Sequence, residues 1–176
     1  QAPSTAGLFF GGSITGTGSA LNETWNGTSW TELGDLNTAR KGITGSGETN
    51  TAALAFGGKP TTAITELWNG TAWSEVADLN QAKQQFAGTG TQTSALAISG
   101  EIPSSPGKTA NVELWNGTSW AEQNNLSAAI SDNAAGGTTS NTVSYAGNNA
   151  TASVATTEEW TGAGANIGAW ATGGNL

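Results

Sequence analysis

The 176 residues include 13 acidic and 5 basic side chains, a net charge of −8, and so lack the clustered Lys and Arg that a nucleic-acid backbone demands of a partner. Without a single His or Cys, the chain has neither the commonest general base nor disulfides, thiol chemistry or Cys-based zinc sites. Only 10% of residues are charged while 26 are Gly and 8 are Trp, a β-rich rather than disordered profile, and no apolar run reaches the length of a signal peptide or membrane helix, so membrane insertion is not expected.

The chain begins at Gln1 and contains no Met, which reads as a processed chain or an excerpt. The first predicted strand is the apolar run Leu8-Phe9-Phe10, closed by Gly11-Gly12. Next comes Glu23-Thr24-Trp25-Asn26-Gly27-Thr28-Ser29-Trp30, with Leu36 six positions after the second Trp. The same wording then returns in register. Leu54-Ala55-Phe56-Gly57-Gly58 precedes Glu66, Trp68-Asn69-Gly70-Thr71-Ala72-Trp73 and Leu79. Leu96-Ala97-Ile98-Ser99-Gly100 precedes Glu113, Trp115-Asn116-Gly117-Thr118-Ser119-Trp120 and Leu126. A degraded copy follows, with Val143-Ser144-Tyr145-Ala146-Gly147, Glu158, Trp160, Trp170 and Leu176. Successive first Trp residues are 43, 47 and 45 apart, so the organising unit is a repeat of about 45 residues.

The four units are read at about 1–40, 41–83, 84–128 and 129–176, within one domain spanning 1–176. Each resolves into four short strands, a to d, which in the third unit are 85–90, 94–99, 111–115 and 120–123. Asn-Gly between strands c and d predicts a two-residue hairpin turn with positive φ at both positions. A meander of this size cannot bury both faces alone, and radial stacking of such units solves that problem. The expected fold is therefore an all-β propeller with no helix of ordinary length.

The di-Gly after strand b, the hydrophobic-Glu-hydrophobic-Trp strand and the following Trp resemble the Kelch repeat over almost the whole chain. The particular wording around Thr65-Glu66-Leu67-Trp68, with Asp78-Leu79-Asn80 and Leu54-Ala55-Phe56-Gly57-Gly58, is similar to Kelch-like arrays of environmental and marine viruses, especially bacteriophage virion and tail-fibre proteins. Similar arrays also look like cell-surface proteins. The resemblance implies a ring of six or seven four-stranded blades. Aligning Phe10 with Phe56 sets Gln1 opposite Gly47, so the first unit starts at the end of its strand a, and the last stops at Leu176 with no strand a after it. A four-bladed ring with imperfect closure, subunits that complete each other, and a segment of a longer chain are the three readings, of which the last two are favoured.

Some Kelch relatives are copper oxidases resembling galactose oxidase, but that chemistry needs His ligands and a Cys–Tyr crosslink, and Tyr145 is the only Tyr. Sialidase-like propellers need three Arg, and Arg40 stands alone. The carboxylates Glu32, Asp35, Glu75 and Asp78 recur in successive units, which argues against a unique glycosidase pair. No enzymatic activity is expected.

The paired Trp residues, Trp25 and Trp30, Trp68 and Trp73, Trp115 and Trp120, Trp160 and Trp170, could stack on sugar rings, yet their recurrence assigns them to the core between blades. Glu23, Glu66, Glu113 and Glu158 could ring a cation, but repeated acids in propellers more often accept backbone N–H groups of a neighbouring blade, so no metal or cofactor is expected. Asn22, Asn26, Asn69, Asn116, Asn125 and Asn149 open glycosylation sequons; in Asn26, Asn69 and Asn116 turn chemistry already explains the Asn. The five bases fall together. Lys59 and Lys108 lie in b–c loops and Arg40, Lys41 and Lys83 in or just after d–a connections, which open on one propeller face beside the variable loop 101–109 with Pro103 and Pro106. That face is the expected ligand face, for an anionic surface glycan or a protein partner. The expected role is a structural and binding module of a virion surface, such as a tail fibre, spike or capsid decoration, in contact with other copies or other virion proteins. The alternative is a secreted or cell-surface adhesin or filament subunit of a cellular organism.

Overall fold

The computed structural model describes residues 5–104, 107–162 and 169–174, and among them every regular element is a strand. In chain order these are β1 (Gly7–Phe10), β2 (Ser13–Ile14), β3 (Thr17–Gly18), β4 (Asn22–Trp25), β5 (Trp30–Glu32), β6 (Thr44–Thr49), β7 (Ala52–Phe56), β8 (Thr65–Trp68), β9 (Trp73–Val76), β10 (Ala87–Gly90), β11 (Ala95–Glu101), β12 (Lys108–Trp115), β13 (Trp120–Glu122), β14 (Ala134–Thr138), β15 (Asn141–Tyr145), β16 (Thr157–Thr161) and β17 (Ala169–Thr172). Three units are antiparallel four-stranded meanders, β6-β7-β8-β9, β10-β11-β12-β13 and β14-β15-β16-β17. The first is a three-stranded sheet, β1-β4-β5, with the small hairpin β2-β3 in its b–c loop. In the third unit, strands b and c run further than their sequence predicts. A bulge at Ser99, where φ is +60°, lets Gly100 and Glu101 go on pairing with Thr109 and Lys108.

The core lies between the sheets. Leu36, Ala53, Ala55, Trp68 and Trp73 fill the first junction together with Leu8 and Phe10. Leu54, Phe56, Phe86, Ala97 and Trp120 fill the second, and Leu96, Ile98, Val112, Ile130 and Trp160 the third. The second and third sheets are apolar on two faces, as the buried strands β7 and β11 show, and both faces are covered only when the repeats stack. The two Trp of a pair have different tasks. The indole N–H of Trp68, Trp115 and Trp160 donates to the a–b turn of its own sheet, at Asn50 O (3.2 Å), Gln92 O (3.1 Å) and Thr139 O (2.9 Å). The second Trp reaches back to the preceding sheet, Trp73 against Phe10 and Trp120 against Phe56, both at 4.9 Å between ring centroids.

The first strands β6, β10 and β14 run side by side, tied by Thr44 Oγ1 donating to Phe86 O (2.7 Å) and Thr89 Oγ1 donating to Gly137 O (2.6 Å). In β6 and β10 small residues are needed where the preceding sheet's aromatic takes up the space. A Cβ on Gly45 would sit 2.3 Å from the Phe10 ring and one on Gly88 2.9 Å from Phe56.

The c–d turns of the first three units differ from the two-residue expectation; that of the fourth lies mostly outside the described residues. Trp25 pairs with Trp30, so four residues form the loop, and positive φ is confined to Gly27, Gly70 and Gly117. The Asn instead folds the turn with its side chain: Asn26 Oδ1 accepts the N–H groups of Thr28 and Ser29, each at 2.9 Å, and Asn69 and Asn116 repeat the arrangement.

Candidate binding face

The repeated Glu of strand c is a socket for the connection that enters its sheet. Glu66 Oε2 accepts the Asn37 backbone N–H (2.7 Å) and side-chain Nδ2 (2.8 Å), while Oε1 accepts the Thr38 N–H (3.4 Å) and the Arg40 guanidinium (2.8 Å). Glu113 receives Asn80 N–H (2.7 Å), Asn80 Nδ2 (2.9 Å) and Gln81 N–H (3.2 Å), with Lys83 Nζ at 3.2 Å. Glu158 takes the N–H and hydroxyl of Ser127 at 3.0 and 2.9 Å, and Ile130 stands where the first two sockets have a cation. The element that reads the Glu is thus Leu-Asn-x-Ala-Arg/Lys; its Leu and Asn are visible in the recurring wording around Leu79-Asn80 and its cations stand out by charge, but nothing local in the sequence links them to the Glu.

Arg40 and Lys83 therefore do not belong to the ligand face. Their side chains, like those of Glu66 and Glu113, have no exposed surface. Arg40 also donates to Gly57 O (2.8 Å) and Ile64 O (2.7 Å), and Lys83 to Asn111 Oδ1 (2.6 Å). An exposed loop cation is the ordinary outcome, but here a carboxylate already bound to backbone amides lies within reach and compensates burial. Burial lowers the pKa of both bases below their ordinary values, against the opposing pull of Glu66 and Glu113.

For Lys83 this has a measurable consequence. Its folded value lies below the ordinary 10.5, so between the two the unfolded chain binds more protons and stability rises with pH. Urea midpoints of the wild-type chain, relative to those of Lys83→Met, are expected to climb as pH is raised towards 10.5. A difference that stays flat across that window would show that Lys83 is not held in a desolvated site.

Two of the remaining bases stand together. Lys41 and Lys59 are joined through their backbones, with Lys59 N–H donating to Lys41 O at 2.7 Å. A cavity of about 330 Å³ opens there, lined by Gly12, Ser13, Lys41, Gly42, Lys59 and Gln85. Lys41 Nζ donates to Gly16 O in the β2-β3 hairpin, and Lys59 is exposed, with no side-chain partner among the described residues. Lys108 does not lie in a b–c loop as expected: it opens strand β12 opposite Glu101, because the bulge at Ser99 extends the pairing, and its Nζ donates to Ser131 Oγ and lies 3.8 Å from Glu101. Beyond Gln85 stands Asp132, which accepts the Gln85 Nε2 at 2.8 Å. Burial pushes its pKa up, but hydrogen bonds from Asn148, Gln85 and Ser131 and the Lys108 charge outweigh that, so the carboxyl titrates lower than usual. Pro103 is exposed on this face, and Pro106 lies outside the described residues, as does Leu176.

Glu32, Asp35, Glu75 and Asp78 are exposed at the outer strands or just beyond them, and Asp78 Oδ1 holds the Thr65 N–H at 3.1 Å. Of the sequon residues, Asn26, Asn69 and Asn116 are exposed at the c–d turns, whereas Asn22 is fully buried and donates Nδ2 to Gly34 O (3.0 Å). That burial removes Asn22 as an acceptor on the folded chain.

No protein-family model and no curated protein matches the chain. The fold is similar to the solved structure of YjhT, which is β-propeller-like, with a TM-score of 0.73 at 12% identity over 88% of this chain and 52% of that one. The chain thus spans about half the length of that structure.

Proposed function

We propose that the chain is a run of Kelch-like propeller blades serving as a non-enzymatic binding and structural module, a component of a virion surface that holds a host glycan or a neighbouring subunit. The observation that carries this reading is the loop-face cavity bordered by Lys41 and Lys59 on a chain of net charge −8. Two ammonium groups on a rigid scaffold, one of them unpaired, favour an anionic ligand such as an acidic surface glycan. The wording of the repeat supports the virion setting.

On an array of sialylated, sulfated and neutral glycans, the chain is expected to retain acidic glycans with an affinity that falls as salt is raised. Lys41→Glu with Lys59→Glu should lower that retention at least tenfold. Retention unchanged in the double variant, or no preference for acidic glycans, would remove the loop face as the binding site.

A further inference from the structure

The face of the first sheet that precedes β1 repeats half of a junction found complete three times elsewhere. Its strand order is β1-β4-β5, and the register of Phe10 opposite Asn22 and Phe56 opposite Thr65 makes β1 the counterpart of β7. Where β7 has β6 beside it, β1 is an edge among the described strands. Glu23 is the counterpart of Glu66, Glu113 and Glu158, yet among the described residues its carboxylate has no hydrogen-bond or ion-pair partner. Trp30 is 52% exposed while its counterparts Trp73 and Trp120 are 5% and 6%, and Phe9 is 53% exposed where Ala55 and Ala97 are fully buried. A groove of about 700 Å³ runs along β1, bounded by Gly7, Phe9, Ile43, Ser46, Thr89 and Gly90. It lies against β6, as β6 lies against β10.

We infer that this groove is a binding site for an extended segment of the repeat's own kind, Leu-Asn-x-Ala-Arg/Lys leading into a small-residue strand. The Asn and the two N–H groups would dock on Glu23 with the cation beside them, as at Glu66. The strand would add to the free edge of β1 through main-chain hydrogen bonds. The inference rests on the repeat geometry and is independent of what the loop face binds.

The probe is a synthetic peptide with the sequence of residues 36–49, added to the 176-residue chain and followed by fluorescence anisotropy and hydrogen exchange. Saturable binding is expected, with the amides of β1 gaining protection. Glu23→Gln in the protein, or Ala at Asn37 and Arg40 in the peptide, should each weaken binding at least tenfold; the Glu23 carboxylate holds no hydrogen bond or ion pair among the described residues, so its near-isosteric variant leaves the pairing of Glu23 with Phe9 and Glu32 in place. Absent binding, binding indifferent to both changes, or β1 amides already protected without peptide would each overturn the proposal.

Discussion

Glu66→Ala is expected to destabilise the chain by about 3–5 kcal/mol, the cost of breaking a buried ion pair from one side. The substitution strands the Arg40 guanidinium in a site with no exposed surface and also leaves the N–H groups of Asn37 and Thr38 without their acceptor. Arg40 would retain only carbonyl oxygens, those of Thr38, Gly57 and Ile64, which do not neutralise it. The chain supplies its own control. Glu23 occupies the same repeat position with none of these partners, so Glu23→Ala should shift stability by less than about 0.5 kcal/mol, as surface changes do. Urea denaturation of both variants decides the matter: similar midpoints would mean that the socket does not fasten the sheets.

Trp115→Ala is expected to cost a similar amount, about 3–5 kcal/mol, through lost burial and an unfilled cavity. Trp115 is 1% exposed, lies 5.4 Å from Trp120 between ring centroids and donates to Gln92 O. Its removal therefore loosens both the a–b turn of its own sheet and the junction with the preceding one. Trp30→Ala removes the same chemical group from a residue that is 52% exposed, and should cost less than about 1 kcal/mol. Equal losses would contradict the assignment of the core to the junctions.

Much of this was legible because a repeat reports on itself. The recurrence of Glu-x-Trp and of the second Trp located strands c and d in every unit, and the apolar run before the paired small residues located strand b. Alternation of Leu54, Ala55 and Phe56, all fully buried, marks a strand covered on both faces, which a lone meander could never provide. The turn was read correctly in place and wrongly in kind. Asn-Gly is compatible with several turns, and only the pairing of Trp25 with Trp30 shows that the Asn side chain closes a four-residue loop.

The unit, its strands and much of its core are thus readable from local pattern and from periodicity along the chain. Tertiary structure alone decided which charges face water. Arg40 follows a loop exactly as Lys41 does, and its inward course depends on a carboxylate 26 residues away being 2.8 Å from its guanidinium. Tertiary structure also sets Glu23, Phe9 and Trp30 at a face that no other described sheet covers, because a junction belongs to two sheets and no single repeat contains it.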